Sequence, residues 1–128
     1  MPELPEVQTV VNYIKPMCVG KRLTRVKPVW SKVLHNFNEG FNSSSKDNKV
    51  RDVYRRAKFI IIAFENYVLA VHLRMTGKLY MADNIFHSKL ITAVFEFEGG
   101  DSLFFEDVRK FGRVYLYCLL YTSDAADE

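Results

Sequence analysis

The sequence predicts a mainly β protein, an antiparallel β-sandwich with one α-helix at its N-terminus. Apolar residues recur at helical spacing near the start, many short apolar runs of strand length follow, and a glycine-bearing turn separates two of these runs. Many short strands after one helix are typical of a sandwich. The 128 residues, 48% hydrophobic, can bury one modest core but not two, so one domain is expected over residues 1–117.

The helix is expected to begin at Pro5 and to end at Pro16, which cannot continue it. Its apolar stripe consists of Val7, Val10, Val11 and Ile14. Leu4 is expected to anchor the start of the helix. Because the stripe is one-sided, we expect the helix to dock on a sheet and to fix the direction in which the N-terminus points.

Strands are expected through the rest of the domain. They are residues 22–28, an irregular segment at 29–37, then 49–54, 58–64, 67–73, 90–97, 102–106 and 114–117. The run Ile60–Ile62 predicts a strand that is buried on both faces. Residues 98–101, Glu-Gly-Gly-Asp, predict a hairpin turn, and residues 39–48 a polar loop. No repeat or internal domain boundary is visible.

The first six residues could carry chemistry. If Met1 is removed, Pro2 presents a secondary α-amine, whose reference pKa near ~8 leaves a useful fraction unprotonated and nucleophilic near neutrality. Glu3 lies beside this amine and could move protons during an attack. The alternative is a simple helix start, with Pro5 at the first helical position and Glu6 favoured by the helix dipole.

Four stretches, in the same order, resemble the formamidopyrimidine-DNA glycosylase (Fpg or MutM) family. They are MPELPEVQTVV at 1–11, RRAKFI at 55–60, HLRMTGKL at 72–79 and EDVRKFGRV at 106–114. The resemblance implies a base-excision repair glycosylase and AP lyase for oxidised purines, in which Pro2 attacks the sugar C1′ and forms a Schiff base. It implies that Glu3 shuttles protons during β,δ-elimination and that Glu6 orients the terminus or the flipped sugar.

A basic segment precedes the apolar strand that begins near Phe59. Arg55, Arg56 and Lys58 could form a solvated basic edge, which is common beside strands, or a phosphate-binding ridge. By resemblance to the RRAK motif of the family, Lys58 contacts phosphate beside the lesion and assists strand cleavage. Arg55 and Arg56 are then expected to be further DNA contacts.

A second group of residues suits the extrusion of a base from DNA, which leaves a hole and an unpaired partner base. By resemblance, Met75, Arg109 and Phe111 fill the hole and bind the unpaired base, and Lys110 keeps a positive charge that is usual in this motif. The alternative has Met75 and Phe111 in the core and Arg109 in an ion pair with Asp107. Phe111 lies between Lys110 and Gly112, a setting that favours an exposed loop tip.

The sequence departs from the family at one expected phosphate contact, where many relatives carry a histidine and this chain has Thr92. His72 is expected to be a strand residue with a hydrogen-bonded ring rather than a catalyst, because no His/Cys/Asp constellation surrounds it. No partners are assigned to His35 or His87.

The family's helix–two-turn–helix domain and its C-terminal zinc finger have no counterpart in the sequence. We therefore expect no cofactor or metal in this chain, although the full-length family binds one structural zinc. Residues 118–128, CLLYTSDAADE, resemble the translation of a transposon-type sequencing adapter and are expected to be non-native; the alternative is an ordinary acidic tail. A fragment that lacks half of the DNA cleft is expected to bind weakly and to show little or no activity.

The expected partner is damaged double-stranded DNA, with which a net charge of +3 is compatible. The apolar runs are too short to span a bilayer and no signal peptide is visible, so a cytoplasmic location is expected, with association to the bacterial nucleoid through DNA. A monomer is also expected. One alternative is an endonuclease VIII-like glycosylase for oxidised pyrimidines, against which Leu4 in PELPE and the Arg-x-Phe wedge of Arg109 and Phe111 argue. The other is a non-catalytic DNA-binding β-sandwich, which a retained Met1 would support.

Overall fold

The structure, a computed structural model, describes residues 4–37, 48–83 and 88–118. One helix and two sheets form a β-sandwich, which confirms the predicted fold class. The helix is α1 (Leu4–Cys18). The strands are β1 (Leu23–Pro28), β2 (Leu34–His35), β3 (Asp52–Arg56), β4 (Phe59–Ala63), β5 (Tyr67–His72), β6 (Gly77–Asp83), β7 (Ile91–Phe97), β8 (Asp101–Asp107) and β9 (Arg113–Cys118).

The two sheets pack face to face around one core. The four-stranded sheet has the order β1-β7-β8-β6, and the five-stranded sheet has the order β2-β9-β5-β4-β3. The short strand β2 pairs with β9 in parallel, whereas the other strand pairs are antiparallel. The largest fully buried side chains include Phe95, Phe105, Ile60, Ile62, Leu69 and Leu103. Both sheets therefore contribute to the core.

The helix docks on the side of the sandwich, where it contacts β3, β4 and β6. Its buried residues are Val7, Val11, Ile14 and Cys18, one stripe at helical spacing. The prediction that Leu4 anchors the helix start is wrong, because this side chain is 42% exposed and the first buried residue is Val7.

The predicted end of the helix at Pro16 is also wrong, since α1 continues to Cys18. A proline inside a helix removes one hydrogen bond and its ring crowds the carbonyl four residues earlier, but the turn that follows it here is held in two other ways. Cys18 is buried, which extends the apolar stripe by one more turn, and the Val19 N–H donates to the Lys15 carbonyl at 3.0 Å. Gly20, with φ of 91°, then turns the chain away.

Most predicted strands are confirmed, with boundary shifts of a few residues, and two predictions fail. The segment 29–37 forms a 3₁₀ turn (Ser31–Val33) and the two-residue strand β2 rather than an irregular strand. β6 was not predicted, because its residues lack a clear alternation and only Leu79 among them is buried. Most of the polar loop expected at 39–48 lies outside the described residues.

Two local predictions are confirmed in detail. Ile60 and Ile62 point into the core, while Ile61 is buried on the outer face, where Tyr54, Phe59 and Tyr117 lie around it. The β7–β8 hairpin turns at Gly99 and Gly100, whose φ angles of 98° and 101° are readily adopted by glycine alone.

Candidate nucleic-acid interface

Strand register brings three loops to one end of the five-stranded sheet. Arg56 pairs with Phe59, Phe59 with His72, and His72 with Arg113, so these four residues form one row across the sheet. The chain leaves or enters the sheet directly beyond this row through the β3–β4 turn (57–58), the β5–β6 loop (73–76) and the β8–β9 loop (108–112). We call this end of the sandwich the three-loop edge.

The helix directs its N-terminus toward the same edge. Lys15 Nζ lies 3.3 Å from Asp52 Oδ1 at the start of β3, and Arg55 Nε donates to Gln8 Oε1 (3.3 Å) near the end of β3. The helix therefore runs antiparallel to β3, and its first turn, with the exposed Glu6, extends toward the β3–β4 turn. Pro2 and Glu3 precede this turn and lie outside the described residues.

The β3–β4 turn carries the predicted basic group. Arg56 is exposed and Lys58 is half-buried. Arg55 is used differently, because its guanidinium donates to the Ala57 carbonyl (2.9 Å) as well as to Gln8. Arg55 therefore ties α1 to the turn that presents Lys58, and its role as a DNA contact stays a prediction.

The predicted wedge residues are exposed, which contradicts the alternative that they fill the core. Met75 is 50% exposed in the β5–β6 loop, and Phe111 is 47% exposed in the β8–β9 loop. Arg109 is also exposed, and its contact with Asp107 runs from the backbone N–H at 3.1 Å rather than from an ion-paired guanidinium. Both apolar side chains are therefore accessible to a partner at this edge.

A buried carboxylate lies between these two loops. Asp107, 1% exposed, accepts hydrogen bonds from the Thr76 hydroxyl on one side and from the Arg109 and Gly112 N–H groups on the other. Sequence reasoning assigned no role to Asp107 or Thr76 as supports of the loops. The two residues are 31 positions apart, and no local pattern could have connected them.

Backbone strain concentrates at the three-loop edge. Four described residues other than glycine have positive φ angles, and Ala57 (53°), Arg74 (59°) and Lys110 (59°) lie one in each loop. The fourth is Asn36, a residue type that tolerates this region. Strained residues that are held in place by the surrounding structure cluster at functional sites. The positive φ angles in all three loops therefore support a functional role for the three-loop edge.

Trp30 supports the β8–β9 loop from below. Lys110 Nζ lies 5.8 Å from the centre of the Trp30 ring, and the Arg113 guanidinium lies 5.1 Å from it, distances at which a cation is attracted to an aromatic face. Arg113 also donates to the Lys110 carbonyl (2.8 Å) and to the Gly112 carbonyl (2.9 Å). Trp30 and Arg113 therefore hold in place the loop segment that carries Lys110, a predicted DNA contact.

His72 has the hydrogen-bonded ring that the sequence predicted, and it lies close to the basic group. Its Nδ1 accepts the Arg74 N–H at 3.0 Å, so in the neutral form the proton is on Nε2. Burial lowers the pKa of His72, and the positive charges of Arg74 and Lys58 lower it further. The neutral ring can donate one hydrogen bond through Nε2.

Acidification is expected to destabilise the protein through His72. The unfolded histidine has a pKa of 6.5 and the folded one a lower value, so below pH 6.5 the unfolded state takes up the proton first and the free energy of unfolding falls. Thermal melts below pH 6.5 are expected to show a smaller loss of melting temperature for His72→Gln than for the parent. Equal losses in the two proteins would contradict this assignment.

The remaining candidates contribute less to the edge. Thr92 is buried and donates its hydroxyl to the Phe105 carbonyl (3.2 Å), so this position offers no side chain to a phosphate at the surface. His35 packs against Tyr115 with ring centres 5.1 Å apart, and His87 lies outside the described residues.

The described ranges contain neither a metal-binding cluster nor a membrane-spanning helix. No group of three or more His, Cys, Asp or Glu side chains in the described part of the chain is arranged to hold a metal ion. Within the same ranges, α1 is neither long nor apolar enough to cross a membrane.

The sequence of this chain is similar to that of a known protein family. The model of the formamidopyrimidine-DNA glycosylase N-terminal domain matches residues 1–114. The formamidopyrimidine-DNA glycosylase of Pelotomaculum thermopropionicum is 39% identical over 119 residues, which are 91% of this chain and 43% of that protein. The one of Protochlamydia amoebophila is 40% identical over 120 residues, 91% of this chain and 44% of that protein. The chain spans less than half the length of these relatives.

Solved structures agree. Lactococcus lactis Fpg in complex with DNA that contains an abasic site has a TM-score of 0.84 and 25% identity, over 98% of this chain and 47% of that one. A complex of the same organism's Fpg (MutM) with Fapy-dG-containing DNA has a TM-score of 0.83 and 25% identity, over 97% and 47%. A complex of the same organism's Fpg with DNA containing an oxidised pyrimidine has a TM-score of 0.84 and 26% identity, over 98% of this chain and 47% of that one.

Proposed function

The chain belongs to the formamidopyrimidine-DNA glycosylase family, and from this we propose that it forms the catalytic N-terminal part of a base-excision repair DNA glycosylase with AP lyase activity. One observation carries the proposal beyond family membership. The N-terminus of α1, the basic β3–β4 turn and the two loops with exposed Met75 and Phe111 all lie at one edge of the sandwich. Damaged double-stranded DNA is the proposed partner.

The two exposed apolar side chains suit an enzyme that takes a nucleotide out of the stack. Extrusion leaves a hole in the duplex, and an apolar wedge such as Met75 or Phe111 can fill it. The guanidinium of Arg109 carries N–H donors in a forked arrangement and can hydrogen-bond the acceptors of the unpaired base. Arg56, Lys58 and Lys110 supply positive charge for the phosphates on either side.

The proposed chemistry begins at the Pro2 amine. Its nitrogen forms a bond to the sugar C1′, the bond from C1′ to the damaged base breaks, and Glu3 takes up the proton that the nitrogen loses, while the departing base is protonated by water. Glu3 then gives its proton to the ring oxygen as the bond from C1′ to that oxygen breaks, and the opened sugar is left with an iminium ion between Pro2 and C1′. Removal of a proton from C2′ then expels the 3′ phosphate, and a second elimination expels the 5′ phosphate. The nitrogen of Pro2 accepts the electrons, so these steps need no redox cofactor.

The supporting roles follow from position. Lys58, half-buried in the β3–β4 turn, is proposed to hold the phosphate beside the lesion and to assist the elimination. Glu6 lies three residues after Glu3 in the first turn of α1 and is proposed to orient the terminus or the flipped sugar. Neutral His72, with its proton on Nε2, can donate to a phosphate oxygen beside Lys58.

Oxidised purines, oxoguanine and formamidopyrimidine, are the proposed lesions. The family match and the Fapy-dG complex of the Lactococcus lactis protein support this choice. The complex of that protein with an oxidised pyrimidine favours a second candidate, a lesion range that includes pyrimidines. Excision assays with oxoguanine, formamidopyrimidine and an oxidised pyrimidine in matched duplexes would separate the two candidates.

Replacement of Phe111 by alanine is expected to weaken the preference of the chain for a damaged duplex by about tenfold, because contacts between an aromatic ring and a base contribute about 1–3 kcal/mol. The measurement is fluorescence anisotropy with duplexes that do or do not contain a tetrahydrofuran abasic analogue. Binding by the chain is expected to be weak, since its relatives are more than twice as long.

Tyr13→Ala is the matched control for Phe111→Ala. Tyr13 is an aromatic residue of nearly the same exposure, 46% against 47%, but it lies on α1 away from the three-loop edge. An equal loss of preference in both variants would contradict the wedge role. An unchanged preference in Phe111→Ala would do the same.

A further inference from the structure

The carboxylate of Asp107 joins two loops that are far apart in sequence. The Thr76 hydroxyl and the Arg109 N–H both donate to Oδ1, the latter at 3.1 Å, and the Gly112 N–H donates to Oδ2 at 2.7 Å. The Arg109 N–H also lies 3.4 Å from the Thr76 hydroxyl oxygen. Gly112, by contrast, is connected to Thr76 only through the second oxygen of Asp107.

We propose that Asp107 and Thr76 are positioning residues that latch the Met75 loop to the Arg109–Phe111 loop, so that the two loops enter DNA as one unit. We expect this latch to set the discrimination between bases opposite the lesion. The inference rests on the proposed function for its consequence in DNA, whereas the coupling of the two loops can be measured without DNA.

The chemistry of the group suits this role. A carboxylate only accepts hydrogen bonds and has two oxygens in one rigid plane, so it can hold donors from two loops in a fixed relation. At 1% exposure it is protected from water, which would otherwise compete for these donors. Thr76 and Gly112 each follow a wedge residue directly, so the latch acts one position away from both Met75 and Phe111.

Glycine allows both loops to approach this closely. A Cβ on Gly112 would lie 3.0 Å from Asp107 Oδ2 and 2.4 Å from Phe105 Cζ, so a side chain there would displace the carboxylate. A Cβ on Gly77 would lie 2.5 Å from the Leu73 carbonyl oxygen, which accepts the Gly77 N–H at 3.0 Å and closes the other loop. Both loops therefore present their wedge residues from tight, closed turns.

The consequence for specificity follows from geometry. Arg109 can distinguish the unpaired base only if its forked donor starts from a fixed backbone position. The Arg109 N–H is bound by Asp107 and lies beside Thr76, so the latch holds this starting point relative to Met75. Without the latch, the positions of Arg109 and Met75 would not be fixed relative to each other. The difference in affinity between the correct and a wrong opposite base would then be smaller.

The first test uses the free protein. Amide hydrogen exchange at Gly112 is expected to rise by about threefold or more in Thr76→Val, because Asp107 loses the donor that fixes it, while Thr76→Ser keeps the hydroxyl and the parent rate. Thr24→Val is the matched control, since the Thr24 hydroxyl donates to the Glu96 carbonyl (3.0 Å) on β7. An unchanged Gly112 rate in Thr76→Val overturns the latch.

The second test measures specificity with duplexes that carry a tetrahydrofuran residue opposite cytosine or adenine. The ratio of the two dissociation constants is expected to fall toward one in Thr76→Val and to remain at the parent value in Thr76→Ser and Thr24→Val. A parent ratio retained in Thr76→Val overturns the specificity role. If the parent binds neither duplex more tightly than an undamaged one of the same sequence, the proposed function and its specificity consequence both fail, and the Gly112 exchange rate still decides whether the loops are coupled.

Discussion

Replacement of Pro2 by glycine is expected to reduce borohydride trapping on an oxoguanine duplex by about 100-fold or more. Proline forms an iminium ion that carries no N–H to lose, and its ring limits the directions from which the nitrogen can approach C1′. Glycine keeps an amine but loses both properties. The measurement is the yield of the protein–DNA adduct after reduction, with binding to the same duplex measured in parallel.

The experiment is best made in a chimera, because the chain spans only 43–44% of its curated relatives. Residues 1–117 would replace the corresponding part of Lactococcus lactis Fpg, to which the fold is similar with a TM-score of 0.84. A second variant with alanine inserted before Pro2 turns its nitrogen into an amide, so no adduct through Pro2 is expected.

Two outcomes would contradict the proposed chemistry. A Pro2→Gly chimera that binds damaged DNA and is trapped like the parent would exclude Pro2 as the nucleophile. A parent chimera that binds, has lost Met1 and yet gives no adduct would favour the non-catalytic DNA-binding sandwich. A trapped adduct that is lost in both variants would leave only the range of lesions to be measured.

Replacement of Gly112 by alanine is expected to lower the free energy of unfolding by about 3 kcal/mol, the upper end of the usual cost of overpacking. The new Cβ would lie 2.4 Å from Phe105 Cζ, and Phe105 is fully buried in the core, where it has little room to move. The same Cβ would press on Asp107 Oδ2 at 3.0 Å. Urea denaturation followed by circular dichroism measures the change in this chain directly.

The double variant Gly112→Ala/Phe105→Leu tests the stated cause. Leucine lacks the Cζ atom that the new methyl group would meet, so the double variant is expected to lose less stability than the sum of the two single variants. Additive losses would mean that the contact with Phe105 does not cause the effect. The close approach of the new Cβ to Asp107 Oδ2 and to the His72 carbonyl oxygen, each 3.0 Å away, would then be the remaining explanation.

Much of the fold could be predicted because burial leaves a local pattern. The stripe Val7, Val11 and Ile14 predicted α1, and the run Ile60–Ile62 predicted a strand covered on both faces. The spacing of apolar residues failed to predict structure where a strand buries few residues, and where a helix continues past a proline. Strand β6 buries only one residue fully, and the helix passes Pro16 because Cys18 is buried.

The candidate site could be predicted only in part. The exposure of Phe111 followed from its polar and glycine neighbours, and the resemblance to the family identified Pro2, Lys58, Met75 and Arg109. Asp107 and Thr76 carried no such signal as supports of the loops. Their hydrogen bond joins residues 31 positions apart and depends on the ends of β5, β6, β8 and β9 meeting at one edge.

The sequence by itself determined which segments form the helix and most strands, because these depend on the spacing of apolar residues within a few positions. Only the tertiary structure decided that α1 runs antiparallel to β3, so that its N-terminus and the three loops share an edge. It also decided that a buried carboxylate holds two of these loops together. These features rest on contacts between residues far apart in the chain, which local periodicity does not encode.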